Sequence, residues 1–250
     1  MDLQLNNHVS IVTGASRGLG AAAARSIVEE GGKVVIAARS IKPLAELAEE
    51  FGDRGFATQC DMRNRQAVED LVQVAINQFG RLDSVVNNAG IAPAGRLIET
   101  DLSVIDEILD VNFVAPLVLS RAAARYFVEE KIPGSIINIA STSAIKGKAT
   151  LAVYSASKGA LLRLSEALAD EWARHRIRVN VIAPGAFTTD AQAAVTGNEE
   201  LLKSRLRKIP TRRMGEPSEI GPLVCYLASS TSDFVTGSCF VIDGGEVAKL

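Results

Sequence analysis

Apolar residues along this chain keep two different rhythms. Short runs rich in β-branched residues fall at 8–12, 33–38, 55–60, 83–86, 135–140, 177–182 and 239–242, and they show little alternation with polar residues. A strand reads this way when both faces of its sheet are covered, because its side chains point to the two faces in turn and neither face meets water. Between the runs, stretches at 19–30, 64–79, 101–129 and 151–174 carry apolar residues at three- and four-residue steps, the spacing of one helical face. Strand and helix in alternation predict a parallel sheet. Right-handed crossovers then give a doubly wound α/β sheet of about seven strands with helices on both faces. Gly31-Gly32 and Gly80 mark helix ends, where a left-handed cap favours a residue without Cβ. From 183 to 215 no period holds. A structureless stretch that long is rare in a compact domain, so short helices forming a lid are expected there.

Composition narrows the class. Of 250 residues, 47% are hydrophobic and 22% charged, which suits a sizeable core and argues against disorder. No composition break divides the chain, and residues 1–250 are expected to form one domain. The net charge of −2 argues against nucleic acid, which usually demands a basic face. No apolar run reaches the roughly 18 residues of a membrane span, and residues 1–8 lack the pattern of a leader, so a cytoplasmic protein without a membrane partner is expected. Cys60, Cys225 and Cys239 have no paired spacing and read as buried thiols in a reducing compartment. His8 and His175, without a cysteine cluster, supply too few ligands for a zinc-type site, so no metal is expected.

The first strand leads directly into Thr13-Gly14-Ala15-Ser16-Arg17-Gly18-Leu19-Gly20 and an alanine-rich helix. Glycines at such a turn let the backbone approach a pyrophosphate, whose charge is met by amides and the positive end of the helix dipole. The spacing Gly14, Gly18, Gly20 departs from the commoner G-x-G-x-x-G, and a glycine turn by itself also serves as a tight strand-to-helix connection. The end of the second strand discriminates cofactors: a carboxylate there holds the ribose hydroxyls of NAD, whereas a 2′-phosphate needs cations. This chain has Ala38 then Arg39. With Arg17, Arg39 offers two guanidiniums for the 2′-phosphate of NADP(H), unless both are merely solvated; NADP is the preferred cofactor on this reading and NAD stays possible.

Between 141 and 158 lie Ser141, Tyr154 and Lys158. Tyr and Lys four apart in a helix rise from one face, so an ammonium comes close to a phenol and is expected to lower its pKa toward neutrality. That pairing suits a general acid/base.

Together these residues resemble the short-chain dehydrogenase/reductase family, over almost the entire chain. Thr13 to Gly20 is similar to the family's T-G-x-x-x-G-x-G turn, and Asp61, with Met62 beside it, to the aspartate that meets adenine. Asn87-Asn88-Ala89-Gly90 is similar to the segment closing the fourth strand, and Asn112 to the helix asparagine. Ser141 and Tyr154-x-x-x-Lys158 match the signature. Pro184-Gly185 and Thr189 correspond to the element that holds the nicotinamide carboxamide, and Asp243-Gly244-Gly245 to the C-terminal ending. The resemblance implies a Rossmann-type fold and hydride transfer between NADP(H) and a carbonyl or secondary-alcohol substrate. It implies that Ser141 and Tyr154 donate to the carbonyl oxygen, that Lys158 tunes Tyr154 and binds the nicotinamide ribose, and that Asn112 holds a water for proton refilling. It also implies a homotetramer built through the helices at 101–129 and 151–174 and the last strand.

Substrate choice is expected on loops at 91–97, 142–149 and 186–208. Lys146, Lys148, Arg205, Arg207 and Lys208 would suit a phosphate-bearing thioester or simply a solvated face. The 3-oxoacyl thioester reductases are among the relatives that look closest, but the two helices that could dock an acidic carrier show Glu129-Glu130 and Asp170-Glu171, with Lys131 and Arg174 nearby. A catalytically silent NADP(H) sensor is the alternative from another class. It would be expected to lose part of the Asn112, Ser141, Tyr154, Lys158 set, which this chain keeps.

Overall fold

In the computed structural model, residues 3–248 are described. Seven strands form one parallel sheet: β1 (Val9–Thr13), β2 (Lys33–Ala38), β3 (Gly55–Gln59), β4 (Ser84–Asn87), β5 (Gly134–Ile139), β6 (Ile177–Pro184) and β7 (Cys239–Ile242), in the order β3-β2-β1-β4-β5-β6-β7. The order reverses between β1 and β4, and at such a point adjacent crossovers leave in opposite directions and open a crevice at the C-terminal strand ends.

The two faces divide the core. On β2, Val34, Ile36 and Ala38 pack with one apolar cluster while Val35 and Ala37 pack with the other. The first cluster is covered by α1 (Gly18–Glu29) and α2 (Ile41–Phe51), through Ala24, Ile27, Leu44, Leu47 and Phe51. The second is covered by α3 (Arg65–Phe79), whose Val68, Leu71, Val72 and Ala75 face inward. Asn64 caps α3 by accepting the Ala67 N–H, and Gly80 closes it with φ +78°.

The stretch 101–129 is not one helix. It divides into α4 (Leu102–Leu109), a π turn at Asp110–Val114, and α5 (Ala115–Glu130). Pro116 has no N–H to return to the carbonyl four residues back, that of Asn112, and here the ladder widens, with the Ala115 N–H reaching the Asp110 carbonyl. Next come α6 (Ala152–Trp172), α7 (Ala193–Thr196), α8 (Glu199–Lys208) and α9 (Gly221–Ala228). The short helices α7 and α8 lie within 183–215, and Leu202 and Leu206 of α8 pack on Ile209, Met214 and Ala186. Arg178 of β6, nearly buried, closes α9 by donating to the carbonyls of Leu227 and Ser229.

Cysteine burial departs from the sequence reading at one position. Cys60 and Cys225 are buried, but Cys239 is exposed. β7 is an edge strand: Phe240 and Ile242 pack inward while Cys239 and Val241 are exposed. Among the described residues no helix is long and apolar enough to cross a membrane.

Candidate active site

A cleft of about 520 Å³ opens at the β1/β4 reversal. Its walls include the glycine turn (Gly14, Ser16, Arg17, Gly18, Leu19), Arg39 after β2, Asp61 and Met62 after β3, Asn88, Ala89 and Gly90 after β4, and Ser141 after β5. Tyr154 and Lys158 of α6 and Pro184, Gly185 and Thr189 after β6 complete it. Segments 170 residues apart converge because every strand of a parallel sheet ends on the same edge. Gly20 and Asn112 do not line the cleft but support those that do.

The turn is built by close backbone approach. Gly14 and Gly18 have φ of +65° and +58°, and a Cβ on Gly14 would come within 2.7 Å of the Ala89 Cα. A Cβ on Gly20 would collide with Asn88 Nδ2 and the Gly14 carbonyl. Asn88 ties turn to strand, Nδ2 donating to the carbonyls of Thr13 and Gly14 at 2.9 and 3.1 Å. Thr13 Oγ1 accepts the N–H groups of Asn88 and Ala89, both at 3.1 Å. The residues present fit a dinucleotide. The first turn of α1 has no side-chain cap and no acidic residue, so its free N–H groups remain for an anion beside Arg17.

The rim carries more charge than the sequence reading placed there. Arg17 lies 3.5 Å from Asp190, and Arg39 lies 3.6 Å from Glu107 of α4. Asp61 is gripped by Arg63, whose Nε donates to both carboxylate oxygens at 3.0 and 3.1 Å, and the pairing pulls Asp61 down to about 2. Sequence reasoning missed Arg63 and Glu107. The Asp61-x-Arg63 spacing was a usable signal for the first, but nothing local pointed to the second, 68 positions beyond Arg39.

At the other end, Lys158 is 3% exposed and its Nζ donates to the Ile139 carbonyl at 2.8 Å. Burial pushes the ammonium down to about 8. The expected lowering of Tyr154 is not found: burial pushes its phenol above the ordinary value, and the Ser141 hydroxyl only partly offsets this. Desolvation of the phenolate outweighs the hydrogen bond from Ser141. Ser141 Oγ also accepts the Ser143 N–H at 3.0 Å, which fixes the turn after β5.

Asn112, fully buried, sits in the π turn and works as a clamp. Its Oδ1 accepts the Ile91 N–H and its Nδ2 donates to the Ile91 carbonyl, both at 2.9 Å, and Nδ2 reaches Ser157 Oγ at 3.2 Å. Ser157 in turn donates to the Tyr154 carbonyl at 2.7 Å. Both amide donors are therefore committed to protein atoms, leaving no N–H of the side chain for the expected water. Ser157, overlooked in the sequence, links the clamp to the helix that carries Tyr154 and Lys158. A Cβ on Gly90 would stand 3.3 Å from Asn112 Oδ1 and 3.4 Å from Lys158 Nζ, so this glycine admits both.

A glycine turn at the switch point, facing a Ser-Tyr-Lys set in one cleft, defines a dinucleotide-type α/β oxidoreductase. A family model described as Enoyl-(Acyl carrier protein) reductase matches residues 14–246. The chain is 35% identical to a 2-dehydro-3-deoxy-D-gluconate 5-dehydrogenase of Dickeya dadantii, over 98% of this chain and 97% of that protein. It is 32% identical to a 3-oxoacyl-(acyl-carrier-protein) reductase of Vibrio cholerae, over 97% and 98%. A gluconate 5-dehydrogenase from Burkholderia cenocepacia, solved with NADP and tartrate, superposes with a TM-score of 0.94 at 29% identity, covering 100% of this chain and 98% of that one. The protein belongs to the short-chain dehydrogenase/reductase family of oxidoreductases.

Proposed function

We propose that the protein moves a hydride between NADP(H) and a carbonyl or secondary-alcohol carbon, with Tyr154 exchanging the proton at the substrate oxygen. The observation that carries this reading is the convergence of Ser141, Tyr154 and Lys158 on the cleft that also holds the glycine turn. The nicotinamide, when bound, supplies the hydride chemistry. Gly14 to Gly20 and the start of α1 hold the pyrophosphate, Asp61 and Met62 border the adenine, and Pro184, Gly185 and Thr189 hold the carboxamide. Ser141 and Tyr154 donate to the oxygen on which negative charge grows. A phenol whose pKa stays high is protonated at neutral pH, the form that donates during reduction. Lys158 then offsets the charge that Tyr154 acquires as its proton leaves.

The sugar-acid names of the gluconate-type relatives favour a hydroxy-acid or keto-acid substrate. A 3-oxoacyl thioester is the second reading, supported by the family model and the Vibrio relative. Against it stand the exposed acidic pairs Glu129-Glu130 and Asp170-Glu171. A turnover screen of keto acids against 3-oxoacyl thioesters, with both reduced cofactors, tests the assignment. Turnover of neither class would remove it. For the cofactor, Arg39→Ala is expected to raise the Michaelis constant for NADPH by about tenfold, one charge-assisted contact, and that for NADH far less. An equal effect on both would take Arg39 out of the phosphate site.

A further inference from the structure

The arginines at the adenosine end of the cleft are already matched by carboxylates of the same chain. Arg39 Nη1 and Arg63 Nη1 each lie 3.6 Å from the same oxygen of Glu107, Oε1. Arg63 turns its Nε and Nη2 to Asp61, and Arg39 also pulls Asp61 down. Two guanidiniums and two carboxylates thus form one network with no net charge. Its members are not held equally. Asp61 accepts a side-chain fork and the backbone N–H of Arg63 at 3.0 Å, whereas Glu107 stands beyond hydrogen-bond distance from both arginines and is a third exposed. The backbone of Arg39 is fixed by Gln59 Nε2, which donates to its carbonyl at 2.8 Å.

Resting on the NADP(H) reading above, we propose that Glu107 is a selectivity residue: its carboxylate competes with the cofactor's 2′-phosphate for Arg39 and Arg63 and so sets how strongly NADP(H) is preferred over NAD(H). A 2′-phosphate brings up to two negative charges to guanidiniums that already face one, so it must displace Glu107 or bind beside it against repulsion. A 2′-hydroxyl brings no charge. With NAD(H), Glu107 keeps its place and the arginines stay neutralised, so the chain accepts both dinucleotides and pays a binding penalty only for the phosphorylated one.

The test is equilibrium binding of NADPH and NADH, read from nucleotide fluorescence, on the parent, Glu107→Gln, Glu107→Asp, Arg39→Ala and the Glu107→Gln/Arg39→Ala double variant. Glu107→Gln is expected to tighten NADPH about fivefold, the scale of two weak exposed ion pairs, and to move NADH less than about twofold. Glu107→Asp, which keeps the charge but withdraws it by one methylene, is expected to give a smaller gain. The gain should shrink in the Arg39→Ala background and at high salt. Unchanged or weaker NADPH binding in Glu107→Gln, while Arg39→Ala still loses NADPH selectively, overturns the role of Glu107 and leaves the cofactor reading standing. Equal losses of both dinucleotides in Arg39→Ala overturn the cofactor reading itself.

Discussion

Tyr154 and Lys158 could be picked out from their spacing, but what each side chain meets could not. The carbonyl under Lys158 belongs to Ile139, and the carboxylate across from Arg39 belongs to Glu107. Such partners come from distant segments, so local pattern says nothing about them. His8 makes the same point. In the sequence it is the first residue of a strand run and one of two histidines too few for a metal site, yet its Nε2 lies 3.0 Å from Ser84 Oγ and burial pushes it down to about 4. Unfolded, the imidazole takes a proton near its ordinary 6.5, so between pH 6.5 and 4 the unfolded chain binds more protons than the folded one. Stability therefore falls with pH across that window, by roughly 3 kcal/mol at its acid end. Urea midpoints of the parent and His8→Gln should differ in slope between pH 6.5 and 4, with the variant losing less. Identical slopes would show that His8 does not titrate this way.

Elements were legible where one periodicity ran uninterrupted. Of the seven runs read as strands covered on both faces, β1, β2, β4, β5 and β6 are buried nearly throughout, whereas the edge strands β3 and β7 are not, because each has a neighbour on one side only. The helices at 64–79 and 151–174 reappear within about two residues as α3 and α6. The stretch 101–129 was misread because its apolar spacing stays helical through the π turn. The signal was Pro116, four residues after Asn112, in mid-pattern. That interruption places the Asn112 amide against Ile91 and Ser157 and joins three segments of the site. Asn112→Ala strands the buried groups it satisfied. Unfolding free energy is expected to drop by about 2–4 kcal/mol and turnover to fall with it, measured by denaturant melts beside initial rates. Parent-like values for both would mean that the clamp is idle.

Across the whole molecule, α/β alternation was enough to foresee a parallel sheet, and parallel strands oblige the site to form at one edge. What the pattern could not foresee is which outer faces stay bare. Ala122, Ala123 and Ala124 are taken up by the protomer's own core, whereas Ala156, Ala160 and Ala167 of α6 are exposed, as are Cys239 and Val241 of β7. We propose that these faces meet copies of the same chain in a homotetramer. Sedimentation is expected to give four times the 26.5 kDa chain mass, and a monomer at micromolar concentration would contradict it. The central claim, that this cleft joins nucleotide binding to proton exchange at Tyr154, is tested most directly by Tyr154→Phe. Turnover and nucleotide binding are measured on the same preparation. The account predicts NADPH affinity within about twofold of the parent and a rate at least 1,000-fold lower, roughly 4 kcal/mol of barrier. A rate within about tenfold of the parent, on any substrate the parent reduces, would contradict it.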